Sequence, residues 1–182
     1  MKLTKPLSLY LGIIVISLSI IGFTLYYFYK DMGGFDEMVV VELEPIKRTI
    51  VGLSYTGKAQ TPEYEELVAK CVDQIKNNRL KGVLTIVSHK HDTLENTEMH
   101  IFIGVTLQSS MAEIPYDFEV KDLTSKARYA VNLTMHPMVR PSVEDVENQL
   151  LEHAQRQSKE LLPMFVELYY MDNTMTVEAW TK

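Results

Sequence analysis

Between Lys5 and Lys30 the chain carries no charged residue, and Leu7 to Phe28 is a run of 22 residues dominated by leucine, isoleucine, valine and aromatics. At about 1.5 Å per helical residue this run would be roughly 33 Å long, close to the roughly 30 Å hydrocarbon core of a bilayer. The pattern predicts a transmembrane helix over residues 7–29, after a short flank at 1–6 and before a linker at 30–37. A cleaved signal peptide would have a shorter apolar core and a small-x-small cleavage site. Here the run instead ends on Tyr26, Tyr27, Phe28 and Tyr29, with Tyr10 near its other end. Rings in these places suit the two headgroup levels of a bilayer.

Beyond residue 37 the periodicity changes. Tyr64, Leu67, Val68, Cys71, Val72 and Ile75 recur at helical spacing, with Thr61 as N-cap and Pro62 at the first helical position. Val143, Val146, Leu150 and Ala154 repeat Tyr64, Leu67, Cys71 and Ile75 at a constant offset of 79, behind a Ser142–Asp145 capping box. This second helix is expected to run to Leu161, where Pro163 stops it. Alternating strands precede both helices, at Val51, Leu53, Tyr55 and at Val131, Leu133, Met135. Two further strands follow each helix, at Val83–Val87 and Ile101–Leu107, then at Phe165–Tyr170 and Met175–Trp180. Asp172 and Asn173 suit the last hairpin turn, and extra edge strands are expected near Met38–Leu43 and Asp117–Val120. A helical crossover makes the strands on either side of it parallel. The fold class is therefore α+β, a pseudo-twofold duplication of a βαββ unit with halves at about 38–110 and 111–182, preceded by one transmembrane helix.

Charge and cysteine content narrow the function. The whole chain has a formal net charge of −6; without its first 35 residues, which hold three lysines and one aspartate, the remainder carries −8. That acidity repels phosphate backbones and speaks against a nucleic-acid partner. One cysteine, Cys71, permits no intrachain disulfide and no multi-cysteine metal site. Lys2 and Lys5 precede the apolar run, whereas Lys30 alone follows it before Asp31, Asp36 and Glu37. The positive-inside bias, one lysine, favours a single-pass membrane protein with a cytoplasmic N-terminus and the soluble domain outside; in a eukaryote the same anchor could instead present the domain to the cytosol.

At the end of the second half, Phe165-Val166-Glu167-Leu168-Tyr169 is followed by Asp172 and a final strand Thr176-Val177-Glu178-Ala179-Trp180. With the two βαββ units, this resembles the GyrI-like small-molecule-binding domain, a superfamily that includes AraC-type effector-binding domains and SOUL-like proteins. The resemblance covers residues 38–182 and implies a pocket glutamate at Glu167, partnered by Tyr169. The Gly-Pro and Asp-Pro turns usual in that family are here Tyr55-Thr56-Gly57-Lys58, His136-Pro137 and Asp172-Asn173, so ligand specificity does not transfer with the fold. The chain carries the apolar run and no helix-turn-helix segment, which speaks against a transcription-factor role.

Strand alternation puts Phe165, Glu167 and Tyr169 on one face. A carboxylate among rings on an inner face needs a cation, a donor or a proton. The candidate ligand-binding residues are therefore Glu167, Tyr169 and Phe165, with Tyr55, Phe102 and Trp180 as weaker candidates for pocket walls, since an aromatic in a strand is more often plain core. The expected partner is a hydrophobic or cationic small molecule, bound by a membrane-anchored sensor or carrier that needs no cofactor or metal. Two other readings remain open. Family members that hydrolyse strained compounds suggest Glu167 and Tyr169 as general base and acid, and a vestigial pocket would leave a tethered protein-recognition module. Gly52 to Lys58, GLSYTGK, matches a phosphate-binding loop for seven positions, but Ala59 stands where a hydroxyl is required. His89, His91 and His100 suggest a metal cluster only if a hairpin gathers them. Asn132-Leu133-Thr134 is a glycosylation sequon inside an expected strand.

Overall fold

The computed structural model describes residues 5–58, 61–89, 99–108 and 113–182. They form two compact units, Met1–Glu37 with Met135–Arg140, and Met38–Thr134 with Pro141–Lys182. In the first, helix α1 (Lys5–Asp31) is long and apolar enough to cross a membrane. Its Ser19 and Thr24 hydroxyls donate to the carbonyls of Val15 and Ile20 one turn back, at 2.8 and 2.9 Å. They therefore need no water, which is the condition for sitting in hydrocarbon. After α1 the chain turns at Gly33, whose φ of 79° favours glycine. Phe35 then folds back onto Tyr26 and Tyr29, with ring centroids 5.5 and 5.0 Å away. The Met32 carbonyl accepts from the His136 amide at 2.9 Å, which ties the 135–140 segment to this turn.

The second unit is an eight-stranded sheet with two helices. In chain order it contains β1 (Val40–Leu43), β2 (Lys47–Gly57), α2 (Pro62–Lys76), β3 (Gly82–His89), β4 (Met99–Leu107), β5 (Glu119–Thr124), β6 (Arg128–Leu133), α3 (Val143–Arg156), β7 (Leu161–Tyr169) and β8 (Met175–Thr181). The spatial order is β1-β6-β8-β7-β3-β4-β2-β5, and every neighbouring pair is antiparallel. Read inward from the two edges, the order is β1-β6-β8-β7 and β5-β2-β4-β3. The expected edge strands do lie at the two edges, but each pairs with a strand from the other half of the chain. The halves join edge to edge through β3 and β7. β2 and β3 do run in the same direction, but β4 is inserted between them, so no parallel pair is hydrogen-bonded.

Both helices start where their caps dictate. Thr61 accepts from the Tyr64 amide at 3.2 Å, and the Ser142–Asp145 capping box closes in both directions. α3 does not run to Leu161. It ends at Arg156, where Gln157 caps it and Ser158 takes a φ of 53°. Leu161 already pairs with Thr181 in β7, and Pro163 falls in the irregular stretch between Leu161 and Phe165, where its missing N–H interrupts no regular ladder.

The sheet buries both faces. On the helix-covered face, Val51, Tyr55, Ile86, Ile101, Ile103 and Val105 pack with Cys71 and Leu80 around α2. On the opposite face, Ile50, Val87, Phe102, Met164, Val166 and Trp180 form a second core, with Ile46, Leu123 and Leu162 against it. Gly52 and Gly104 lie opposite each other in β2 and β4; a Cβ on Gly52 would stand 2.1 Å from the Ile103 carbonyl oxygen. The close approach of these two strands therefore depends on glycine.

Candidate functional site

α2 packs over β2, β3 and β4, whereas α3 packs over β1, β6, β7 and β8. The central pair β3 and β7 thus presents its helix-side residues along the seam between the two helices. In register these are Leu84 opposite Tyr169, Ile86 opposite Glu167, and Ser88 opposite Phe165. A groove of about 380 Å³ runs beside α2, between Tyr64, Val68 and Val72 on the helix and Leu84, Ile86 and Tyr169 on the strands, with Glu65 at its rim.

Glu167 is 6% exposed, and its Oε2 accepts from the Tyr169 hydroxyl at 2.5 Å. Burial pushes its carboxyl up to about 7, and the nearby charge of Glu147 adds to the rise, while the Tyr169 hydroxyl opposes it. At neutral pH this group is therefore poised between acid and carboxylate. The Tyr64 phenol is also raised, by burial first and by the charge of Glu167 second. The buried Ser88 hydroxyl, on the same face, has no hydrogen-bond partner among the described residues. The groove thus has two rings in its lining, Tyr64 and Tyr169, with a carboxyl bonded to the second, groups that can meet an apolar molecule carrying a positive centre.

The structure brings together some of the expected residues and separates others. Glu167, Tyr169 and Phe165 share the helix-side face, as alternation requires. Tyr55 is on that face too, but its hydroxyl bonds to the Lys58 carbonyl and to Thr61 Oγ1, both at 2.8 Å, so its polar end holds the start of α2. Its ring meets Tyr64 edge-on at 5.9 Å, one layer behind the groove. Phe102 and Trp180 are on the other face of the sheet and wall no part of this groove. Trp180 donates its indole N–H to Glu178 at 2.9 Å; Glu178 is gripped by Arg48 at 2.6 and 2.8 Å and also accepts from Arg128. Phe102 carries Lys121 Nζ 4.1 Å above its ring. Both faces of β4 and β8 are buried, so burial within each strand did not show which face met the helices; the register with the neighbouring strands did.

The groove is lined by the neighbours of Glu167, Ile86 and Tyr169, so its open volume lies alongside the carboxylate. Tyr64 was legible in the sequence only as part of the apolar stripe of α2. Ser88 and Glu147 carried no sequence signal, since only the strand register and helix placement set them near Glu167. Gly52–Gly57 of the loop-like motif lies within β2. His89 and His100 are opposite in register with rings 5.9 Å apart, and His100 Nδ1 pairs with Thr56 Oγ1 at 2.8 Å. His91 lies outside the described residues, among which no group of three metal-ligating side chains occurs. Asn132 Oδ1 accepts from Thr176 at 2.7 Å within the sheet.

No family model and no curated protein matches the sequence. Solved structures do share the fold. The C-terminal domain of EcmrR aligns with a TM-score of 0.55 at 7% identity, covering 80% of this chain and 97% of that one. EcmrR in its complex with DNA aligns at 0.56 and 10% identity, over 97% of this chain and 69% of its own. A hydrolase from Listeria innocua aligns at 0.50 and 9% identity, over 85% and 98%. At these identities the likeness carries the fold and leaves ligand and activity open.

Proposed function

We propose that the chain is a membrane-anchored, GyrI-like small-molecule-binding protein whose ligand, hydrophobic or cationic, occupies the groove between α2 and the β3–β7 pair. The observation that carries this reading is Glu167, a buried carboxyl pushed up to about 7 beside Tyr64, Tyr169 and an open apolar groove. In a core position such a group raises the cost of folding at neutral pH, whereas a bound cation would offset that cost by stabilising the carboxylate. The strand order, which reads alike from both edges once the two halves are exchanged, supports an origin by duplication of a βαββ unit.

Anchoring is supported by the length, apolarity and internally bonded hydroxyls of α1, and the lysine distribution supports a cytoplasmic N-terminus. The binding test is a thermal melt of the full chain in detergent micelles with a panel of lipophilic quaternary cations. Stabilisation by some of them, lost in Glu167→Gln, is the expected result; a broad panel with no stabilisation overturns the reading. Extraction of the chain from membranes by alkaline carbonate would overturn the anchor.

A further inference from the structure

The groove does not end at Tyr169. A second chamber of about 610 Å³ shares Val72, Leu84 and Tyr169 with the first and continues between Ile75, Gly82, Gln108 and the β7–β8 turn at Asp172. Three shared side chains make the two chambers neighbours along one floor. That floor follows β3 from Ile86, opposite Glu167, to Gly82, four residues away and therefore about 13 Å at the rise of a β-strand. Its middle is apolar, supplied by Val72, Ile75 and Leu84. Its ends carry acids in their linings, Glu65 at one and Asp172 at the other, and at the Glu65 end Glu167 stands next to the lining, paired with Ile86 and bonded to Tyr169. Neither lining contains a lysine, arginine or histidine.

Asp172 is a fixed charge. Its Oδ1 accepts from the Thr174 hydroxyl at 2.7 Å and the Thr174 amide at 2.9 Å, and these bonds hold its carboxyl below the usual range. It stays ionised under conditions in which Glu167 titrates, so the two ends of the floor differ in character. The far end always attracts positive charge; at the near end Glu167 adds its own attraction once its proton leaves.

Resting on the ligand-binding reading above, we infer that the two chambers form one continuous site for an elongated molecule with a positive charge at each end and an apolar span of about 13 Å between them. Such a bis-cation pairs one end with the Glu167 side of the groove, lies along Val72 and Leu84, and presents its other end to Asp172. A cation of the same length with only one charge makes the first and second contacts but not the third.

The test uses the full chain in nanodiscs of zwitterionic lipid and isothermal titration calorimetry. The probes are alkanes with a trimethylammonium group at both ends, in lengths that bracket this span, and the same alkanes with a hydroxyl replacing one ammonium. The expected result is a length optimum for the dications, two- to fivefold tighter than the matched monocations, a gain in keeping with an exposed carboxylate. Asp172→Asn, which keeps an oxygen for Thr174 and so keeps the turn, should erase the gain while leaving monocation affinity unchanged. Gln108→Lys should weaken the dications alone. Equal affinity of dications and monocations at every length, or a loss in Asp172→Asn that falls equally on both, overturns the elongated site and leaves the ligand-binding reading standing. Failure of both probe series to bind overturns the two together.

Discussion

Replacing Glu167 by glutamine should stabilise the fold, by an amount that depends on pH. The carboxyl is raised from an ordinary 4.5 to about 7 by burial, so the folded state holds its proton more tightly than the unfolded state. Below pH 4.5 the group is protonated in both states and has no effect. Between 4.5 and 7 the unfolded chain has lost its proton and the folded chain has not, so stability falls by about 1.4 kcal/mol per pH unit. Above 7 both states are ionised, and a penalty of about 3 kcal/mol remains in full. Glutamine keeps an oxygen for the Tyr169 hydroxyl and never ionises. The variant should therefore match the parent near pH 4.5 and exceed it by about 3 kcal/mol at pH 8–9, or about 6–12 °C in melting temperature for a chain of this size. Every other titrating group is common to both proteins, so the difference isolates this one. Trp180 is the only tryptophan and is fully buried in β8, so its emission follows unfolding directly. A difference that stays constant from pH 5 to 9, or a parent that is the more stable protein at alkaline pH, would refute the buried, proton-holding carboxyl.

Other outcomes follow from the same structure. Affinity for a lipophilic cation, read by calorimetry, should fall about tenfold for each pH unit below 7 as Glu167 takes up its proton; a flat profile would mean that this carboxylate does not pair with the ligand. Glu178→Ala leaves the charges of Arg48 and Arg128 without their carboxylate in the second core and should cost about 3–5 kcal/mol. A loss under 1 kcal/mol in denaturant titration would show that water reaches this cluster. Gly52→Ala drives a Cβ against the Ile103 carbonyl and should cost about 1–3 kcal/mol or more, measured in the same way, whereas an unchanged midpoint would mean that β2 and β4 can separate there. Ser142→Ala removes the capping box of α3 and should cost about 1 kcal/mol.

The elements were legible because each carries a local signature. Thr61 before Pro62 and Ser142 before Asp145 mark helix starts through hydrogen bonds made within four residues, and the structure contains both. The end of α3 was misplaced because Pro163 looked like the stop, while the chain had already turned at Ser158, a residue type with no strong bias to positive φ. Glu167 and Tyr169 stood out for a similar local reason, being two residues apart on a strand and therefore on one face.

The sequence by itself determined the apolar helix, the capped helices, the strands and the shared face of Phe165, Glu167 and Tyr169, since these depend on backbone periodicity and nearest-neighbour chemistry. Only the tertiary structure decided that β3 meets β7 at the centre and that β1 and β5 exchange partners across the halves. It also decided that Phe102 and Trp180 turn away from the helices, and that Ser88, Tyr64 and Glu147 lie close to Glu167. The physical reason is pairing between strands far apart in the chain. When both faces of a strand are buried, as in β4 and β8, the strand alone does not say which face meets the helices, and the register with its neighbours makes the choice.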